Sequence, residues 1–133
     1  MNALLLFLAA APQAAPPPPP FSPAVRAGDT LYLSGQIGVV PNGADPHGNG
    51  FDIAAHQAMD RVGKVLKANG ADWGKVVKCT VMLGDMKDWP RFNAVYASYF
   101  TAGAKLPARS AFGTTRLAYG AALEVECVAW LGN

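Results

Sequence analysis

From Lys75 to Leu83 apolar and polar residues alternate, and a helical pattern begins at Asp88 with room for only a turn between them. A strand that runs almost directly into a helix calls for layered packing of both element types. Alternation places Val77, Cys79, Val81 and Leu83 on one face of the strand and Val76, Lys78, Thr80 and Met82 on the other. In the helix, Asp88 stands at the cap position and Pro90 suits the first turn. Trp89, Phe92, Tyr96, Tyr99 and Phe100 form its aromatic inner stripe, which reads as core.

The same two periods organise the flanking chain. Ser22 to Asp29 and Thr30 to Gly35 read as a hairpin turning at Ala27-Gly28-Asp29. Pro41 to Gly50 is rich in Gly, Asn, Asp and Pro and reads as a loop, with His47 in it facing water. A first helix is expected from a cap at Asp52 to the stop at Asn69-Gly70, burying Ala55, Met59, Val62, Val65 and Leu66. His56 lies off that stripe with Asp60 four positions on, an exposed pair rather than a catalytic dyad. Arg109 to Thr115 is a strand, Tyr119-Gly120 a turn, and Ala122 to Leu131 the closing strand.

The order strand, strand, helix, strand, helix, strand, strand gives an α+β fold with two helices laid on one sheet face. In the closing strand Leu123, Val125, Cys127 and Ala129 suit the helix side, whereas Glu124, Glu126, Val128 and Trp130 point away. A monomer would leave Met82, Val128 and Trp130 wet, so an oligomer that covers this face is expected.

Pro16 to Pro20 is a stiff, extended spacer that marks the domain boundary, dividing a leader and spacer at 1–20 from a folded domain at 21–133. Ala3 to Ala11 is an apolar run of signal-peptide length, too short to span a bilayer, but no Lys or Arg precedes it. Export and cytoplasmic residence both stay open. Eleven Lys and Arg against nine Asp and Glu give a net charge of +2 without clusters, which argues against nucleic-acid and membrane partners. Cys79 and Cys127 lack metal or redox spacing and lie in apolar strand patterns, so buried thiols are expected rather than a disulfide.

Chemistry concentrates in Pro107-Ala108-Arg109-Ser110 and, fifteen residues beyond Arg109, in Leu123-Glu124-Val125-Glu126. A guanidinium matches a carboxylate bidentately, and a glutamate near the docked acid can hold and deprotonate a water. The bland alternative is an ion pair tying two strands or two subunits, with Glu126 a further subunit contact. Neither Ser34 nor Ser110 has a recognisable partner base, which disfavours a serine hydrolase.

Six fragments in register carry a resemblance across Phe21 to Leu131: Leu33-Ser34-Gly35-Gln36, Val77-Lys78-Cys79-Thr80-Val81, Asp85-Met86-Lys87-Asp88, Phe92-Asn93-Ala94-Val95-Tyr96, Pro107-Ala108-Arg109-Ser110 and Leu123-Glu124-Val125-Glu126-Cys127. In these the chain resembles the Rid/YjgF family of reactive-intermediate deaminases. The resemblance implies a chorismate-mutase-like fold, a homotrimer with clefts between subunits, and cofactor-free, metal-free hydrolysis of enamines and imines of amino acids to 2-oxo acids and ammonia. It gives Arg109 the substrate carboxylate and Glu124 the attacking water, with Ser34, Gly35, Asn93 and Ala111 lining the cleft. Phe21 stands where deaminating members commonly have tyrosine, and Ala111 where cysteine is common. A non-catalytic trimer binding small carboxylic acids is the second expectation. Ribonuclease or chaperone activity ranks last, for want of a basic patch or stacking platform.

Overall fold

A computed structural model of the chain describes residues 13–133. The apolar leader expected at Ala3 to Ala11 lies outside the described residues, and Pro16 to Pro20 is exposed and without secondary structure. The elements are β1 (Ala24–Ala27), β2 (Thr30–Leu33), β3 (Gln36–Gly38), α1 (Asn49–Ala68), β4 (Val76–Leu83), α2 (Trp89–Ala97), β5 (Ala108–Gly113) and β6 (Leu123–Trp130). They form one sheet in the order β1-β2-β6-β4-β5, with β3 also paired to β6. Both helices pack on one face, as expected: Phe51, Met59, Val62 and Leu66 of α1 and Phe92, Val95 and Tyr96 of α2 join the sheet residues Val81, Leu83, Leu123 and Val125 in a single core. Strand β4 pairs antiparallel with β6 and parallel with β5, because α2 returns the chain across the sheet before β5 begins.

Several expectations are corrected. Strand β3 was unforeseen: three residues are too short for a period-two pattern, and their partner is distant in sequence. Between the β2–β6 and β3–β6 pairings the β2–β3 side carries one extra residue, so Ser34-Gly35 bulges out of the ladder. Helix α1 begins at Asn49, three residues before the expected cap, and thereby buries Phe51 completely. The turn-forming composition of Pro41 to Gly50 masked that start. Val77 does not share the inner face of β4. A bulge between Val76 and Lys78 resets the alternation, burying Val76 and leaving Val77 exposed. Trp89 is exposed, and because α2 ends at Ala97 only Phe92 and Tyr96 of the expected stripe lie on the helix, while Tyr99 and Phe100 pack partly buried against the core from just beyond its end.

The cysteines are bonded. Cys79 and Cys127 are direct partners in the β4–β6 register and form a disulfide with Cα atoms 4.1 Å apart, beneath the helices. His47 is half-exposed but not free in water: Nδ1 lies 2.9 Å from Oδ2 of buried Asp88. That contact diverts the Asp88 side chain from the helix cap it was expected to make. His56 is exposed, as expected, and bonds Tyr99 Oη through Nδ1 at 2.9 Å, while Tyr99 donates to Asp60 at 2.6 Å. With the hydroxyl hydrogen given to Asp60, Nδ1 of His56 must be the donor in that contact.

Candidate functional site: two half-sites on one chain

Arg109 is the second residue of β5, the edge strand, and its register partner Cys79 fixes its side chain on the helix-covered face. There one guanidinium nitrogen donates to Asn93 Oδ1 at 2.6 Å. The guanidinium carbon stands 4.8 Å from the centre of the Tyr96 ring and 5.8 Å from that of Phe92. Phe92, Asn93 and Tyr96 meet the arginine together because they lie three and four residues apart on α2. Among the described residues no carboxylate pairs with Arg109. The cation is held by an amide and two rings, neither of which cancels its charge. Ala111, two residues along β5, shares its face and packs partly buried against the core.

Tyr96 is almost fully buried, and its hydroxyl has no hydrogen-bond partner among the described residues. Burial pushes that hydroxyl above the ordinary tyrosine value of 10.0, while the nearby Arg109 charge pulls the other way.

Glu124 occupies the second position of β6, on the uncovered face. Its neighbours come from the bulge. Gly35 lies so close to the Glu124 carboxylate that any Cβ there would collide with it, and this close approach explains the glycine. Ser34 donates its hydroxyl to the Ser22 carbonyl at 2.6 Å, and its N–H bonds the Pro23 carbonyl at 2.9 Å. These two bonds tie the segment carrying Phe21 against the bulge. Phe21, Ser34, Gly35 and Glu124 enclose an open cavity of about 230 Å³.

The expected residues therefore fall into two groups: Arg109, Asn93 and Ala111 on the helix side at the β5 edge, and Phe21, Ser34, Gly35 and Glu124 on the open side. Within one chain Arg109 and Glu124 do not meet. Their expected closeness in neighbouring strands is corrected, because β4 runs between β5 and β6 and the two side chains leave the sheet on opposite faces. Sequence reasoning also missed the part played by Tyr96 and Phe92, which it assigned to the core alone. Larger grooves of about 430 and 490 Å³ flank His56 on the helix face, but their walls are ion-paired or solvated side chains such as Asp52, Arg91 and Lys64. No cluster of three or more His, Cys, Asp or Glu suited to a metal occurs among the described residues.

This fold agrees with comparisons to known proteins. The model of the family described as Endoribonuclease L-PSP, which is the Rid/YjgF family, matches residues 11–131. The chain belongs to that family. It is 39% identical over 112 residues to the 2-iminobutanoate/2-iminopropanoate deaminase of Mus musculus, covering 84% of this chain and 82% of the relative. It is 38% identical over 111 residues to Reactive Intermediate Deaminase A, chloroplastic, of Arabidopsis thaliana, covering 84% of this chain. The chain spans 58% of the length of that plant relative. Among solved structures, the YjgF gene product of E. coli superposes with a TM-score of 0.72 at 34% identity, covering 84% of this chain and 87% of that one. E. coli TdcF with bound serine gives a TM-score of 0.74 at 29% identity, covering 87% and 91%.

Proposed function

We propose that the protein is a hydrolytic deaminase that converts enamine and imine derivatives of amino acids, such as 2-aminoacrylate and 2-iminopropionate, to 2-oxo acids and ammonia. One observation carries the reading: Arg109 is a fixed cation with no carboxylate partner among the described residues. A guanidinium held this way retains its charge for an incoming anion. The deaminase names of the mouse and plant relatives support the same substrate class.

The half-sites complete one another between subunits of a homotrimer. The open sheet face, with Tyr32, Phe112 and Trp130 each about half exposed, is the apolar surface such an assembly covers. In the assembled cleft Arg109 of one protomer holds the substrate carboxylate. Glu124 of its neighbour faces the imine carbon with a water between them.

The substrate reacts as its iminium: Glu124 takes a proton from the water as the water oxygen bonds to the electrophilic carbon, and the C=N π pair moves to the already protonated nitrogen, which becomes a neutral amine. The same carboxyl then returns its proton to the nitrogen of the tetrahedral adduct. The Glu124 carboxylate takes the hydroxyl proton of the adduct as the C–N bond breaks, ammonia departs and the carbonyl of the 2-oxo acid forms. Positioning supplies most of the acceleration, since the imine carbon is already electrophilic. No step needs a cofactor. Phe21 offers a ring face to the planar substrate without a hydroxyl. The Ser34 hydroxyl, whose hydrogen is spent on Ser22, keeps that ring in place.

Ammonia and 2-oxo acid release from freshly generated 2-iminopropionate tests the proposal. Turnover by the wild type and its loss in Arg109→Ala are expected. Wild-type protein that binds small carboxylates but leaves the imine to decay at its uncatalysed rate would instead establish a binding protein for small carboxylic acids. TdcF with its bound serine keeps that second reading in view.

A further inference from the structure

Arg109 projects from an edge strand, where a long side chain has little to confine it, yet it occupies one defined place over α2. Asn93 contributes a single hydrogen bond, which fixes one nitrogen but leaves the guanidinium plane free to swing about it. The ring of Tyr96 supplies the second constraint, at 4.8 Å from the guanidinium carbon. That ring is itself immobilised. It is 5% exposed, and it packs against Phe92 with centroids 5.7 Å apart and against Phe100 at 4.9 Å.

The Tyr96 hydroxyl bonds nothing among the described residues, so its hydrogen-bonding capacity does not explain the residue. The ring face does, because an aromatic quadrupole attracts a cation without neutralising it. A carboxylate in the same place would hold Arg109 as firmly and abolish its attraction for a substrate anion.

We propose that Tyr96 is a positioning residue for the carboxylate grip, its ring being the shelf that sets the direction and height of the Arg109 guanidinium. The inference deepens the deaminase reading and rests on Arg109 being the group that takes the substrate carboxylate. Tyr96 touches no reacting atom. Its removal therefore acts on substrate capture and leaves the chemical step of captured substrate alone.

Tyr96→Leu removes the aromatic face, Tyr96→Phe retains it, and Tyr96→Met fills the volume without a π surface. For each variant, KM and kcat are measured with 2-iminopropionate, the Kd is measured for 2-oxobutanoate as a non-reacting carboxylate, and the melting temperature is recorded. Tyr96→Leu and Tyr96→Met should raise KM and Kd about tenfold, with kcat changed less than about twofold. Tyr96→Phe should rescue both constants and melt no lower than the wild type, since it deletes an unpaired buried hydroxyl.

Unchanged KM and Kd in folded Tyr96→Leu or Tyr96→Met overturn the inference, as does a Tyr96→Phe variant as weak as either. If both truncations fail to fold, the ring-current shift of the Arg109 δ-methylene protons decides. It is expected upfield in wild type and Tyr96→Phe, and its absence in the wild type removes the shelf. Wild-type protein that neither binds 2-oxobutanoate nor turns over the imine, yet keeps that upfield shift, refutes the carboxylate reading and not the shelf.

Discussion

Arg109 and Glu124 leave one sheet on opposite faces, from strands separated by β4. On the proposed function, a ligand touching both lies between two copies of the chain. Arg109→Ala and Glu124→Gln proteins should each be inactive alone. Protomers of the two, unfolded and reassembled together at equal ratio, should recover about a quarter of the wild-type rate, because random assembly leaves that share of clefts with both residues intact. No recovery on mixing, with oligomers demonstrably exchanged, would refute a shared cleft.

Gly35 admits no side chain because the Glu124 carboxylate fills the space where a Cβ would sit. Gly35→Ala must displace Glu124 or spread the bulge, at a cost of about 1–3 kcal/mol. Activity should fall at least about tenfold while the chain still folds. Steady-state kinetics beside a melting curve would show both effects.

Asp88 is buried and its carboxylate is held by His47, itself half-exposed. His47→Ala should lower stability by about 1–3 kcal/mol, because it strands a carboxylate at the start of α2. Urea denaturation of the single variant and of His47→Ala/Asp88→Asn measures the effect. The double variant should recover part of the loss, and equal stability of the two would argue against the pair.

Burial, reinforced by the hydrogen bond to Asp60, raises the Tyr99 hydroxyl well above the ordinary tyrosine value, and burial also raises Tyr96. Above pH 10 an unfolded chain has released these protons while the folded chain still holds them. Their contribution to stability is therefore complete below the unfolded value of 10.0 and drains away as pH climbs toward the folded values. Absorbance at 295 nm should show two of the four tyrosines ionising late, together with alkaline unfolding. Tyr99→Phe should flatten the alkaline loss of stability.

Oxidised protein, denatured without reductant, should yield no free thiol to a colorimetric reagent, and two after reduction. Cys79→Ala/Cys127→Ala should be less stable by up to about 4 kcal/mol, the chain-entropy value for a 48-residue closure. Thermal melts of both proteins in the same buffer provide the comparison. Two reactive thiols in freshly purified protein would contradict the bond.

How much was legible before the structure follows from the range of each pattern. The alternation of β6 and the stripe of α1 are local, so they gave the right faces for Glu124, Val125 and Met59. The bulges at Val76–Lys78 and Ser34-Gly35 break a period by one residue, and nothing within the strand announces that. The disulfide was missed for a related reason. Cys79 and Cys127 become neighbours only through the β4–β6 register, which their spacing along the chain does not encode. The motifs around Arg109 and Glu124 singled out the two side chains on which the proposed function rests. Their separation across the sheet depends on strand order, and strand order was not readable.

The bond between Cys79 and Cys127 encloses the whole of α2 and β5 in one covalent ring, with β6 passing through its closing point. Drawn out by its two ends, an oxidised molecule would withhold on the order of 160 Å of contour, the length of those 48 residues, until a reductant cut the knot. The strand bearing the cation and the strand bearing the acid would remain tethered even in a chain otherwise pulled straight.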